Sequence, residues 1–226
     1  MTSPQQRIAV LPDMPDSRLL VELTSHASDL SEASHTLASA FAAGESSELW
    51  LPLTSHSVTA YIRPFIRSNV RRRLDEMPFV PAVPPSLKWL HEVVRQYRNT
   101  TIAHSQSNLA LPLPIVFLDN AGNPTKVAPV SLINQMPMAI AEHFADLIAA
   151  MEDAVEHATQ PVLERLRAWV KNKTAAEIGD WDPPEFVHAA ALEFNAGERR
   201  TRVPRYTAYW QEQLANDEQA PEHFSQ

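Results

Sequence analysis

The chain has 226 residues, no cysteine and a formal net charge of −8 at pH 7. A chain of this length can bury a substantial hydrophobic core without disulfides or a structural metal. The lack of cysteine excludes disulfide frameworks, thiol nucleophiles and cysteine-ligated metal centres, and it is typical of a reducing compartment. No segment approaches the roughly 18 uninterrupted apolar residues of a membrane span, so we expect a cytoplasmic protein with no membrane partner.

Apolar residues at helical spacing predict a mainly α-helical fold. The first helix is expected over residues 16–41, with Gly44 as its stop. A second helix is expected from about residue 47 to 66, with kinks or short breaks at Pro52 and Pro64. The prolines that follow, between residues 78 and 85, predict an extended connector.

The third predicted helix has the clearest core face. Ser86 is a plausible N-cap, and the apolar stripe that follows it has the spacing of one helical face. The residues of this stripe are Leu90, Val93, Val94 and Tyr97.

The periodicity then changes. Residues 111–133 predict a small β-hairpin with a turn at 119–123, and residues 137–172 predict a long helix that bends or splits at Pro161. The segment 174–226 is rich in proline and aromatic residues and has no helical stripe. We therefore expect a helical domain over residues 1–173 and an extended C-terminal arm over 174–226 that packs on the domain or on a partner.

Basic residues are concentrated in one part of the chain. Eight basic and three acidic residues lie between residues 61 and 104, a local net charge of +5 in an acidic protein. Clustered arginines are suited to following a phosphate backbone, although most such runs are only a solvated basic surface. The candidate RNA-binding residues are Arg63, Arg67, Arg71, Arg72, Arg73 and Arg95.

The most specific chemical pattern is Arg98-Asn99 followed by His104, with five residues between Arg98 and His104. An imidazole that titrates near neutral pH can take the proton of an RNA 2′-hydroxyl, and a guanidinium can offset the charge that builds on the phosphate. Asn99 could hold the phosphate or orient the histidine. The alternative interpretation is structural: Arg98 pairs with Glu92 or another carboxylate, and His104 caps a helix end.

This pattern resembles the HEPN superfamily, whose signature is Arg, four to six residues and then His, often with Asn directly after the Arg. The resemblance is strongest over residues 86–108. It implies a helical bundle with the hairpin as an insertion, and a metal-independent endoribonuclease that leaves 2′,3′-cyclic phosphate and acts in toxin-type regulation or phage defence. The implied catalytic residues are Arg98, Asn99 and His104.

The resemblance also implies the partners. In a continuous α-helix, Arg98 and His104 lie roughly 120° apart and about 9 Å along the axis, so they do not share a face. A site that uses both residues forms more easily when two copies meet across a two-fold axis. HEPN proteins, which this chain resembles, form such homodimers. RNA is the implied substrate, and an antitoxin or regulatory protein is left open as a further partner.

The sequence departs from some related patterns. Gln106 stands where one branch of toxins has a tyrosine two residues after the His, which puts control by modification of that tyrosine in doubt. The box that begins at His91-Glu92 has Arg95 in place of the second histidine of a zinc protease, and we expect no metal and no cofactor. Two other functions are left open: a non-catalytic HEPN-like module that binds RNA or protein, and a helical scaffold in which Arg98 is structural.

Overall fold

The computed structural model describes residues 9–104 and 106–181. This part of the chain is mainly helical and contains a small two-stranded antiparallel sheet. The helices are α1 (Pro15–Ala43), α2 (Trp50–Ile62), α3 (Lys88–Tyr97), α4 (Met138–Lys171) and α5 (Ala175–Gly179), and the strands are β1 (Ala110–Leu118) and β2 (Pro124–Ile133). Within the described residues, no helix combines the length and apolar character needed to cross a membrane.

The chain divides into two compact units. One unit comprises Met1–Val21, Asn69–Arg71 and Val162–Gln226, and the other comprises Glu22–Ser68 and Arg72–Pro161. All three candidate catalytic residues belong to the second unit. The expected domain of residues 1–173 and the arm of 174–226 remain predictions, and residues 182–226 lie outside the described part.

Helix α1 confirms the first predicted helix and its stop. Gly44 has a φ of +84°, which glycine adopts without steric cost, and its N–H donates to the Ala40 carbonyl at 3.0 Å. The buried stripe of α1 includes His26, whereas the neighbouring Ala27 is exposed. The His26 ring can be buried because its Nε2 donates to the Arg72 carbonyl at 3.1 Å.

Helix α2 is shorter than predicted but unbroken. Pro52 lies in its first turn, where a missing N–H costs no helical hydrogen bond, so the break expected there is absent. Pro64 does end the α-helix, since residues 63–65 form a 3₁₀ turn. At the start of the helix Trp50 is fully buried, and its Nε1 donates to the Met136 carbonyl at 2.7 Å.

Two features of α3 differ from the prediction. Ser86 lies inside a 3₁₀ turn, Pro85–Leu87, and the residue before the α-helix is Leu87, which makes no side-chain cap. The core face is also narrower than predicted. Leu90 and Val94 are buried together with His91, whereas Val93 is 44% exposed.

The hairpin is confirmed and is slightly longer than predicted. Its strands are antiparallel and pair Ala110 with Ile133 at the base, and Asp119 accepts hydrogen bonds in the turn from the backbone N–H groups of Ala121 and Asn123. Pro112 and Pro114 lie inside β1 rather than before it. No residue of either strand is buried.

Helix α4 runs through Pro161 without the predicted split. The apolar side of this helix is buried from Phe144 to Val162, and Trp169 is half-buried with its ring stacked on Trp181 at 5.4 Å. The first part of the expected arm is a short capped helix: the Thr174 hydroxyl accepts from the Glu177 N–H, and the Glu177 carboxylate accepts from the Thr174 N–H.

Candidate functional site

The candidate site lies where α3 ends. The α-helix stops at Tyr97, and Arg98–Ile102 form one π-helical turn, closed by the Ala103 N–H, which donates to the Arg98 carbonyl at 2.9 Å. π-Helical turns are rare in proteins, and those that occur are often found at functional sites. His104 lies in the turn that follows, so the 120° angle expected for a continuous α-helix does not apply.

The local sequence accounts for the end of the α-helix. Asparagine and threonine are weak helix formers because their side chains compete for backbone hydrogen bonds or lose rotamer freedom. The Thr100 hydroxyl donates to the Gln96 carbonyl at 2.9 Å, a bond that often accompanies a bent helix.

The loop after the π-turn is tied back to it by two hydrogen bonds. The Gln106 N–H donates to the Thr100 carbonyl at 2.6 Å, and the Thr101 hydroxyl donates to the Ser107 hydroxyl oxygen at 2.7 Å. His104 lies between these anchored positions, so its backbone is held on both sides while its side chain is exposed.

Arg98 and Asn99 are in direct contact. Arg98 is half-buried, and its Nη1 donates to the Asn99 Oδ1 at 3.2 Å, while Asn99 itself is exposed. Within residues 9–104 and 106–181, Arg98 forms no ion pair with any carboxylate, Glu92 included. Its remaining N–H donors are therefore not committed to a carboxylate in this part of the chain.

The candidate RNA-binding arginines do not form one group. Three of them are ion-paired: Arg63 binds Glu32 at 2.6 Å, Arg72 binds Glu22 at 2.7 Å, and Arg73 pairs with Asp75. The Arg63 guanidinium lowers the pKa of the Glu32 carboxyl, assisted by His56, which also contacts this carboxylate at 2.6 Å. Carboxylate partners neutralise these arginines, which makes them poor ligands for a phosphate backbone.

Arg67 and Arg95 differ from this group. Arg67 is exposed and Arg95 is half-buried, and neither forms an ion pair with a carboxylate of the described residues. Arg71 is half-buried and belongs to the other compact unit. Arg95 lies one helical turn before Arg98, so these two cations share the end of α3.

A second histidine of α3 has a different environment. His91 is 7% exposed, its Nδ1 shares a hydrogen bond with the Tyr61 hydroxyl at 2.8 Å, and its ring contacts Phe65 at 4.6 Å. Burial lowers the pKa of His91, Arg95 lowers it further, and the nearby Glu92 and Asp75 oppose the change. The sequence analysis did not identify the pairing of His91 with Tyr61. The signal for a buried His91 was that the core residue Val94 follows it three residues later, on the same face of the helix.

An apolar groove lies beside the candidate site. It has a volume of about 640 Å³, and its walls come from α3, the base of the hairpin and the start of α4. Residues that line it include Val93, Tyr97, Leu109, Ile133, Met136 and Ile140. Because Tyr97 directly precedes Arg98, a group bound in this groove would lie next to the π-turn.

Comparison with known proteins leaves the family undecided. No family model, no curated protein and no solved structure matches this chain. Among the described residues, no group of three or more histidine and acidic side chains is placed to hold a metal ion. The likeness to the HEPN superfamily therefore depends on the Arg98–His104 segment and on the helical architecture.

Proposed function

We propose that this chain is a metal-independent endoribonuclease of HEPN type, with a composite site formed by two copies. The observation that carries the proposal is the state of Arg98 and His104. Arg98 begins the π-helical turn at the end of α3, where Asn99 holds it and no carboxylate of the described residues pairs with it. His104 lies in the turn that follows and is exposed. A purely structural arginine is usually neutralised, as Arg63 and Arg72 are here.

The proposed reaction needs two proton transfers. The His104 imidazole takes the proton of the 2′-hydroxyl, the 2′-oxygen attacks the adjacent phosphorus, and the bond from phosphorus to the 5′-oxygen breaks. The leaving 5′-oxygen takes a proton from a protonated imidazole, which the second copy supplies. The products are a 2′,3′-cyclic phosphate and a 5′-hydroxyl.

Arg98 stabilises the charge that develops on the phosphate during this reaction. A guanidinium offers paired N–H donors to two phosphate oxygens and stays charged at any physiological pH. The bond to Asn99 fixes the side chain before substrate binds, which lowers the cost of orienting it. Arg67 and Arg95 are the candidates that retain their charge for the RNA backbone.

The experiment is a cleavage assay on RNA in the presence of EDTA. Wild-type protein is expected to cleave and to leave 2′,3′-cyclic ends. His104→Ala is expected to lower the rate by about 10²- to 10⁴-fold. Arg98→Ala should act similarly, and Arg98→Lys should restore little because an ammonium lacks the fork of donors.

The matched control is His157→Ala, since this side chain is 72% exposed and lies on α4. Its cleavage rate should equal that of the wild type. Wild-type protein that binds RNA but leaves it intact under these conditions would contradict the proposal. For the biological role, we propose a toxin or an antiviral effector: expression in bacteria should arrest growth, and His104→Ala should abolish the arrest.

One observation favours a second candidate function, a non-catalytic HEPN-like module that binds protein. The hairpin exposes apolar side chains on both faces, and large exposed apolar patches mark interaction surfaces. The two functions are separated by the cleavage assay, because a binding module would leave RNA intact while the surface of the hairpin still bound its partner.

A further inference from the structure

The hairpin is unusual because it has no cover within the described chain. A two-stranded ribbon alone is only marginally stable in water. Seven of its large apolar side chains are nevertheless between 41% and 74% exposed: Leu111, Val116, Phe117, Leu118, Val127, Leu132 and Ile133. At roughly 150 to 200 Å² for each large side chain, they expose about 600 Å².

The edges of the hairpin disfavour pairing with further strands. Pro114 lies opposite Pro129. Neither residue has an N–H, so the two cannot form a hydrogen-bonded pair of the ladder, and their backbone groups point to the outer edges of the hairpin instead. Pro112, two residues from Pro114, faces the same outer edge of β1. Prolines at these positions are a known means of blocking edge-to-edge pairing. A partner must therefore approach the faces of the hairpin.

The low charge of the hairpin segment favours a partner surface that is also apolar. Asp119 and Lys126 are the only charged residues between residues 109 and 137. Asp119 is engaged by the backbone of the turn, and the Lys126 ammonium lies 6.0 Å from the Phe117 ring. The net charge of this segment is zero, so two copies can meet here without the repulsion that the overall charge of −8 would cause elsewhere.

The same unit of the chain carries both halves of an apolar contact. The tip of the hairpin, formed by Val116, Phe117, Leu118 and Val127, is an apolar projection, and the groove beside α3 is an apolar recess. Two copies related by a two-fold axis could place each tip in the other copy's groove. The exposed hairpin surfaces of two copies, which include Ile133 of the groove wall, total about 1,200 Å², the lower end of specific interfaces.

We propose that two copies of this chain exchange their hairpins, so that the tip of each hairpin fills the groove of the other. The proposed function requires two copies but not this contact, and the hairpin exchange does not depend on RNA cleavage. The exchange would place the tip of the second copy's hairpin next to Tyr97, one residue from Arg98.

The first test measures the dimer dissociation constant by sedimentation equilibrium on the full chain. Leu118→Lys combined with Val127→Lys should raise this constant by at least about 100-fold, because two buried apolar anchors are replaced by charges. The matched control is Leu49→Lys, since Leu49 is 58% exposed and Leu118 is 61% exposed. Equal dissociation constants for the double variant and the control would overturn the proposal.

The second test does not depend on the stability of a charged hairpin. The chain has no cysteine, so each introduced thiol is the only one present. A chain carrying Val127→Cys is mixed with a chain carrying Val93→Cys, and disulfide-linked heterodimers are measured by mass. The control mixture pairs Val127→Cys with Leu49→Cys.

The exchange requires that residue 127 of one copy lies near residue 93 of the other. Heterodimers well above the control support it. Heterodimers at the control level, a monomeric wild type, or linkage mainly between two copies of Val127→Cys would each overturn it. A cross-linked wild-type-like dimer that leaves RNA intact would instead contradict the proposed nuclease function and leave the hairpin exchange standing.

Discussion

The two histidines of the α3 segment have opposite environments, and this difference can be measured. His91→Ala removes the hydrogen-bond partner of the Tyr61 hydroxyl. Tyr61 is fully buried and would lose its only hydrogen bond to a described side chain. The substitution also removes the ring that contacts Phe65 at 4.6 Å and Tyr61 at 5.8 Å. The structure therefore makes His91 a core residue and His104 a surface residue.

The expected magnitude follows from these contacts. An unsatisfied buried hydroxyl costs about 1 to 3 kcal/mol, and the cavity left by the ring adds to it, so we expect a loss of about 3 kcal/mol in the free energy of unfolding. For a chain of this size, each kcal/mol lowers Tm by about 2 to 4 °C, which gives a decrease of about 6 to 12 °C.

Thermal unfolding followed by circular dichroism is the assay, with His104→Ala as the paired variant. His104→Ala should melt at the wild-type temperature because its side chain is exposed and makes no hydrogen bond to a described residue. If His104→Ala melts as low as His91→Ala, His104 has a structural role and the catalytic interpretation of the segment fails. If His91→Ala melts like the wild type, the account of the buried pair is wrong.

Three further predictions concern the core, the basic residues and pH. Trp50→Phe should lower the free energy of unfolding by about 1 to 3 kcal/mol in urea titrations, because the Met136 carbonyl loses its buried donor. In RNA-binding titrations, Arg63→Ser should leave affinity and salt dependence unchanged because Glu32 already neutralises Arg63, whereas Arg67→Ser combined with Arg95→Ser should weaken binding and flatten the salt slope. Burial lowers the pKa of His91 in the folded protein. The contribution of His91 to the free energy of unfolding is therefore complete above the ordinary histidine pKa near 6.5, and it is lost as pH falls from there toward the lowered pKa. Urea titrations from pH 7.5 to 5 should show a steeper loss of stability for the wild type than for His91→Phe.

Much of the architecture could be predicted from the sequence because it depends on local periodicity. The stop at Gly44, the hairpin and the long fourth helix each follow from residue spacing or turn chemistry. The N-cap at Ser86 and the break at Pro52 were wrong for local reasons as well. A 3₁₀ turn precedes α3, and a proline in the first turn of a helix costs nothing.

The details of the site depend on contacts that span the chain, which is why spacing could not reveal them. Glu32 and Arg63 are 31 residues apart, and Glu22 and Arg72 are 50 apart, so the neutralisation of these arginines appears only in three dimensions. The same holds for His91, whose hydrogen bond to Tyr61 joins residues 30 apart in the chain. The sequence analysis also did not predict the π-turn, because the turn reflects the low helix propensity of several neighbouring residues rather than one helix-breaking residue.

The candidate site and the hairpin share a position in the chain, and this proximity connects the two proposals. His104 is six residues from the start of β1, and Tyr97, Leu109 and Ile133 form adjoining walls of the same groove. Each feature is incomplete in one copy: the proposed reaction needs a second imidazole, and the hairpin needs an apolar cover. Hairpin exchange would supply the apolar cover at the end of α3, while the second copy's His104 stays at the base of its own hairpin, away from the tip. An exposed apolar ribbon directly after a polar turn is then expected, because its cover is the groove of a second copy rather than its own body.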